Sequence, residues 1–279
     1  MRQRLPRLDP ACRARWVDQA SHHPLYKRLP IWMGRDVVGS IAEPFVQFLN
    51  DLNLKLDWSF SHDKEERIHL PADLSTTFTR IRQALQQQGL LVWPQVERLP
   101  LLDTQGKVHG AVPRDLVRLL GINTHSVHLV GWQGDACWVQ ERAANKTEDP
   151  GRLDTLVGGT VAWEEDPSAT LERETWEEAG LSLKQLNKVT SFGSIELNKP
   201  SGDAQGWGHT WETIHCLSAE LDSRAEPVNQ DGEVAAFYRF EWEELSHALE
   251  AERFTLAATG VFLRVTQSIP LTTPGRYPA

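Results

Sequence analysis

The chain is poor in cysteine: of its 279 residues only Cys12, Cys137 and Cys216 are thiols, far apart and in no C-x-x-C spacing. So odd and scattered a set excludes a disulfide framework or a cysteine-built zinc site, and reads as reduced thiols in a cytoplasmic protein. Long apolar runs are also missing, and no segment approaches the ~18 uninterrupted apolar residues of a membrane span. The start, MRQRLPRLDPACRARW, is rich in arginine yet lacks the apolar stretch of a secretory signal. Asp9 and Asp18 argue against an organelle transit peptide, which is poor in acids. Positive charge is in deficit: 29 Lys and Arg against 38 Asp and Glu give a formal net charge of −9. Neither a nucleic-acid backbone nor an anionic membrane is therefore expected as the principal partner. A local basic pocket for phosphate remains compatible with that balance. No internal repeat or low-complexity run occurs, and no G-x-x-x-x-G-K-[ST], which excludes P-loop chemistry.

What is present points to a soluble globular chain. A hydrophobic share of 40% is enough for sizeable cores. The length exceeds the usual ~100–200 residues of one domain, so two domains or one elaborated domain are expected. Eleven Trp stand against three Tyr and two Met, and most should be core or interface anchors.

Periodicity and punctuation place the elements. PACRARWVDQAS reads as a short polar helix, and IWMGRDVVGSI as a hairpin around Gly34 and Arg35. EPFVQFLNDL is helical by spacing. In STTFTRIRQALQQQGLL, Phe78, Ile81 and Leu85 share a face, with Ser75 as candidate N-cap and Gly89 closing. GLLVWPQVERLPLLD is extended, and VPRDLVRLLG is a further short helix. From SVHLVGWQGDACWVQERA onward, a hairpin about Gly134-Asp135, a strand TLVGGTVAW and a helix over 167–179 follow. Three more strands (KVTSFGSIEL, HTWETIHCLSAEL, EVAAFYRFEW) precede two closing helices. The boundary falls near residue 123: a smaller α/β N-terminal domain over 1–122, then an α/β (α+β) domain over 123–279 whose mixed sheet packs between helices.

The chemistry concentrates in VGGTVAWEEDPSATLERETWEEAGL, residues 157–181. Asp166-Pro167 opens the helix. At 100° per residue, Glu174, Glu177 and Glu178 fall within one ~100° arc. Like charges so placed repel, and a divalent cation among their oxygens removes that cost. Magnesium suits such a site, because it takes a few protein oxygens and completes its shell with water and substrate phosphates. A solvated acidic face is what most Glu-rich helices are. The fixed spacing of Gly159, Glu165, Arg173, Glu174, Glu177, Glu178 and Gly180 decides otherwise. Seven positions at ~6% background each match by chance less than about once in 10⁸ starts.

That spacing resembles the Nudix box, with Thr175 where the family usually has an aliphatic residue. A hydroxyl there is expected to bond back to the Leu171 carbonyl. LGINTHSVHLVGW, GRLDTLVGGTVA, NQDGEVAAF and VGSIAEPFVQFL further resemble the Nudix branch related to thiamine pyrophosphokinase, which carries an extra N-terminal domain. A fused kinase domain, known in some fungal members, is not expected within this length. The resemblance implies a Nudix α/β/α sandwich that hydrolyses a diphosphate linkage with Mg2+, for which Mn2+ can substitute. It implies that Glu174, Glu177, Glu178 and the Gly159 carbonyl hold the metal, with Glu165 as an outer support and Arg173 as an orienting residue. Gly180 would end the helix in a left-handed conformation. The proton acceptor is either Glu174 or Glu233, the latter in NQDGE.

For the substrate, Trp207 and Trp211 in GDAQGWGHTWE offer flat faces to a thiazolium cation. Arg142, Lys146 and Arg152 precede or flank the metal loop and are candidates for phosphate oxygens. His125 and His128, three apart on a strand, point to opposite faces and read as structural. The expected function is hydrolysis of thiamine diphosphate or its analogues. Two alternatives are a pyrophosphatase of nucleoside-diphosphate derivatives such as ADP-ribose, NADH or a nucleotide sugar, and a catalytically silent ligand-sensing Nudix domain. The partner is a small diphosphate, with no nucleic acid and no membrane, and a homodimer is compatible.

Overall fold

The computed structural model describes residues 8–54, 56, 59–61, 66–91 and 97–267. The first helix, α1 (Pro10–Ala20), opens on Asp9, whose carboxylate accepts the Ala11 amide. A hairpin of β1 (Arg28–Met33) and β2 (Asp36–Ala42) follows, then α2 (Glu43–Asp51). With β3 (Ser59–Ser61) and β4 (Arg67–His69) they form a four-stranded sheet of order β2-β1-β4-β3. The amphipathic α3 (Leu74–Gln87) buries Phe78, Ile81 and Leu85, as its spacing predicts. Its cap is Asp73 rather than Ser75, because the Asp73 carboxylate accepts from the Ser75 amide and the Thr76 hydroxyl. The strands β5 (Arg98–Leu102) and β6 (Val108–Pro113) pair with one another. After them VPRDLVRLLG makes a single 3-10 turn at Arg114–Leu116 instead of a full helix. Most of the extended stretch expected just before β5 lies outside the described residues.

The second sheet begins where the sequence changes character, at β7 (Asn123–Gln133), and turns at Gly134-Asp135 into β8 (Ala136–Arg142). Next come β9 (Leu153–Asp154), β10 (Val157–Thr160), the helix α4 (Pro167–Ala179) and β11 (Leu186–Pro200). A single turn with left-handed dihedrals, α5 (Asp203–Gly206), leads to β12 (His209–Leu221), β13 (Val234–Phe240), α6 (Trp242–Glu250) and α7 (Leu256–Val265). The sheet is mixed, with order β11-β12-β7-β8-β13, β7 and β12 parallel and the other pairs antiparallel. Ser126–Leu129 of β7 pairs with β10, whereas Gly131–Gln133 pairs with β8, so β10 takes over the ladder where β8 leaves it.

Alternation along β7 explains the layers. Val127 and Leu129 face a core with Leu171, Ala179 and Leu181, beneath α4. Val130 and Trp132 face the opposite core, filled by α6 and α7. The result is an α/β/α sandwich with a mixed sheet. Among the described residues no helix is long and apolar enough to cross a membrane.

Two elements interlock the halves. The helix α1 leaves the N-terminal sheet and packs on α7, with Cys12, Trp16 and Ala20 buried in that core and the Trp16 indole donating to the Leu256 carbonyl at 2.9 Å. In return, Trp207 from the β11–β12 connection enters the N-terminal core. Its ring lies 5.5 Å from that of Phe45 and 5.1 Å from that of Phe48. Arg28 fastens the same turn, donating to the Trp207 carbonyl at 2.7 Å. Trp207→Ala is therefore expected to lower unfolding stability by roughly 3–5 kcal/mol, the usual cost of emptying a buried aromatic site. Urea denaturation of the full chain measures this, and an unchanged midpoint would contradict the packing role.

Candidate active site on the box helix

Helix α4 is held at both ends by its own sequence. The Asp166 carboxylate accepts the amides of Ser168 and Ala169 at 2.8 and 2.9 Å, with Pro167 in the first turn. Gly180 stops it at φ 62°, a conformation that a residue with Cβ adopts at a cost. Leu171 and Ala179 press the helix onto the sheet, and this rotation turns Glu174 and Glu178 toward β10. The Thr175 hydroxyl, expected to bond back to Leu171, is instead buried without a hydrogen-bond partner.

Glu178 is only 3% exposed. One of its oxygens accepts the Gly158 amide at 2.8 Å and the Gln140 side-chain amide at 3.1 Å. Burial, and then the nearby Glu174, push its pKa well above the ordinary carboxylate range. Burial likewise raises Glu174 to about 7, against the lowering influence of Arg173. A Cβ at Gly159 would collide with the Glu174 carboxylate, so the strand approaches this helix closely only because glycine stands there.

Arg173 organises the rest. Its Nε and Nη2 donate to the two oxygens of Glu165 at 2.8 and 3.0 Å. Its Nη1 donates to Glu174 and Glu177 at 2.8 and 2.9 Å. Glu165 also accepts from the Thr170 hydroxyl at 2.8 Å, so both its oxygens are engaged. One guanidinium thus spaces three carboxylates, and its own pKa is pushed up, first by Glu165.

Glu174 opens onto a cleft of about 570 Å³. The cleft brings together Gly158, Gly159, Arg142, Lys146 and Glu233. Lys146 forms an ion pair with Glu233. Arg142 donates to the Glu148 carbonyl at 3.2 and 3.1 Å and lies 3.4 Å from Asp154. Two candidates fall elsewhere. Arg152 does not reach the cleft: its guanidinium donates to the carbonyls of Glu252 and Phe254, both at 3.0 Å, and braces that turn. Trp207 offers no face to a ligand, since Phe45 and Phe48 cover it; the glycines around it let the turn reach into the N-terminal core. Trp211 lines an adjoining chamber of about 640 Å³, together with Leu90, Leu91, Leu99 and Val117.

Sequence reasoning missed Arg114, Arg118 and Lys199 on the cleft wall. The signal for the first two was present, because VPRDLVRLLG carries its arginines four residues apart. It also missed Gln140 and Asp154, buried polar residues on β8 and β9. His125 and His128 do face opposite ways, His125 bonding His215 at 3.1 Å and His128 the Thr155 hydroxyl at 3.0 Å. Among the described residues, Asp36, Asp103 and His109 alone bring three such donor atoms within 4.8 Å of one another. There the Lys107 ammonium lies 3.2 Å from Asp36, and Asp103 accepts two amides of its own turn and lies 2.9 Å from the His109 ring, so the protein's own groups already engage both acids.

A model of the NUDIX domain matches residues 123–259. Nudix hydrolase 24, chloroplastic, from Arabidopsis thaliana is 24% identical over 218 residues, covering 75% of this chain and 58% of that protein. Nudix hydrolase 20, chloroplastic, from the same plant is 23% identical over 224 residues, covering 75% of this chain and 59% of its own length. The chain therefore spans well under two thirds of the curated relatives it matches. Among solved structures, DR0079 from Deinococcus radiodurans is similar at 20% identity and a TM-score of 0.47, over 62% of this chain and 98% of that one. Residues 123–259, which carry the sheet, the capped acidic helix and the glycine strand it grips, are thus similar to the NUDIX domain.

Proposed function

We propose that this chain is a divalent-metal-dependent hydrolase that cleaves a diphosphate linkage in a small molecule. The observation that carries this reading is the pair Glu174, half-buried, and Glu178, buried, beside Gly158–Gly159, with Glu174 opening on a cleft that also holds arginines and a lysine. Two neighbouring carboxylates, one buried and one partly buried, cost stability as bare anions. Magnesium fits this donor set: hard oxygen ligands, few in number, on a strand whose glycine leaves the main chain bare. Glu174, Glu177 and Glu178 with the Gly159 carbonyl would hold it, and Mn2+ would serve as a substitute. Bound there, the ion neutralises phosphate oxygens and polarises the attacked linkage.

The chain's own residues supply the rest. Arg173 keeps Glu174 and Glu177 at fixed positions, and Glu165 keeps Arg173 in place, so it acts as a support behind the donors. Glu174 is the better placed proton acceptor of the two candidates, because it opens on the cleft beside Gly159. Glu233 is engaged by Lys146. Arg142 and Lys146 face the cleft and suit phosphate oxygens.

The organic part of the substrate suits the adjoining chamber, where Trp211 and leucines offer apolar walls. We propose thiamine diphosphate and its analogues as the substrate class, the one favoured by the longer sequence motifs. Trp211 replaces Trp207 as the aromatic available to a ring. A nucleoside-diphosphate derivative fits the same chamber through its base, so a hydrolysis panel containing both classes decides between them.

Glu178→Gln is expected to reduce metal-dependent phosphate release by more than the roughly 100-fold that loss of even a supporting partner costs a metal site. The check is turnover across that panel with magnesium, and a variant as active as wild type would sink the assignment.

A second expectation concerns pH. Glu174 and Glu178 have folded-state pKa values raised above 4.5. Their contribution to stability is fully present below 4.5 and, for Glu174, is lost as pH rises through about 7. Metal-free protein should accordingly lose stability across that window, and Glu174→Gln should flatten the loss. Urea midpoints taken against pH in a chelating buffer test this; a wild-type slope retained in the variant would refute it.

A further inference from the structure

The N-terminal part lines the Nudix cleft with Glu97 and, through the turn and following residues between β6 and β7, with two arginines. Arg114 and Arg118 stand four residues apart there, and both line the cleft that holds Glu174. The segment is anchored from two sides. The Arg118 carbonyl accepts the His209 amide at 2.9 Å, and the Leu119 carbonyl accepts from Arg28 at 3.2 Å. The guanidinium groups are thus presented from a fixed backbone. Arg114 donates to the Thr160 hydroxyl at 3.3 Å, one residue beyond Gly159, and to Glu97 at 2.6 Å. Arg118 forks onto the Glu148 carboxylate, its Nη2 at 2.6 Å from Oε2.

Glu148 is exposed and sits on the loop between β8 and β9. Its backbone is held independently, by Arg142 on its carbonyl. The side chain is therefore free to leave Arg118 while the loop stays in place. An open Arg–Glu pair of this kind adds little to the stability of a fold. A planar guanidinium is, however, the group best shaped to take phosphate oxygens two at a time.

We propose that Arg118, with Arg114 beside it, is a phosphate-binding residue that the N-terminal part supplies to the Nudix cleft, and that Glu148 is the internal anion displaced by the incoming diphosphate. This rests on the hydrolase reading above. A diphosphate carries more charge and more acceptor oxygens than one carboxylate, so it wins the fork. The N-terminal part is then part of the substrate site and not merely an appendage to it.

The test is binding of inorganic pyrophosphate to the full chain, by calorimetry with magnesium present, for wild type, Arg118→Gln and Glu148→Gln. Arg118→Gln should weaken binding about tenfold or more, the size expected for a lost charge-assisted hydrogen bond. Glu148→Gln should tighten it, because the competitor is gone. Opposite signs are the signature, since a purely structural ion pair would respond alike to loss of either partner. Equal effects in both variants, or no pyrophosphate binding by wild type, would overturn the proposal. If Arg118→Gln does not fold, as judged by its thermal melt, Glu148→Gln decides alone: unchanged or weaker binding overturns it. Turnover is read separately. A wild type that hydrolyses nothing yet shows the opposite shifts loses the hydrolase reading and keeps this one; active wild type with binding indifferent to Arg118 loses only this one.

Discussion

A carboxylate buried against a glycine strand is the constraint from which the site follows. Glu178 sits out of water beneath β10, with one oxygen shared by the Gly158 amide and the Gln140 side chain. Those two donors orient it without neutralising it. Everything around it answers to that placement. Asp166 and Gly180 fix where α4 begins and ends, which sets its rotation, and the absence of a side chain at Gly159 leaves room for Glu174. The stretch from Gly159 to Gly180 is thus one device: a helix locked at both ends, driven onto a bare strand, with Glu174 and Glu178 turned inward.

Arg173 shows how such a device survives folding. Glu174 and Glu177 on the helix and Glu165 just before it would otherwise repel one another. Held by Glu165 on one side, the guanidinium spaces Glu174 and Glu177 on the other. The residues that carry the chemistry are therefore positioned by hydrogen bonds that do not depend on substrate. The interlocking of the halves does the same at larger scale. Trp207 in the N-terminal core and α1 on α7 fix the relation between the two sheets. A cleft lined from both sides can keep its shape only on such terms.

Legibility in the sequence followed the range of the forces involved. Local rules placed α4, including its Asp166 cap and left-handed Gly180, because capping is decided within a few residues. The strands from β7 to β13 announced themselves through β-rich runs and turn residues. Where the partner is distant in the chain, pattern was silent. Nothing in PACRARWVDQAS tells that α1 joins the core under α7, since amphipathic spacing gives a face and not what covers it. Trp207 between glycines read as a flat face for a ligand; its partners Phe45 and Phe48 lie far away in sequence. Arg152 failed similarly, its guanidinium being claimed by the carbonyls of a turn some hundred residues on. The box positions were legible because repeated spacing encodes geometry, whereas Arg114 and Arg118 come from another part of the chain.

On the proposed reading, Glu174 and Glu178 are placed to share a dication. Proton bookkeeping during metal binding tests it most directly. Burial raises Glu174 to about 7 and Glu178 well above the ordinary carboxylate range, so magnesium bound between them at or below neutral pH displaces protons. Calorimetric titration of magnesium into the chain, in two buffers of different ionisation heat, reads that displacement. The expected result is saturable binding with a buffer-dependent heat that reports proton release. Absence of binding, or a heat identical in both buffers, would contradict it.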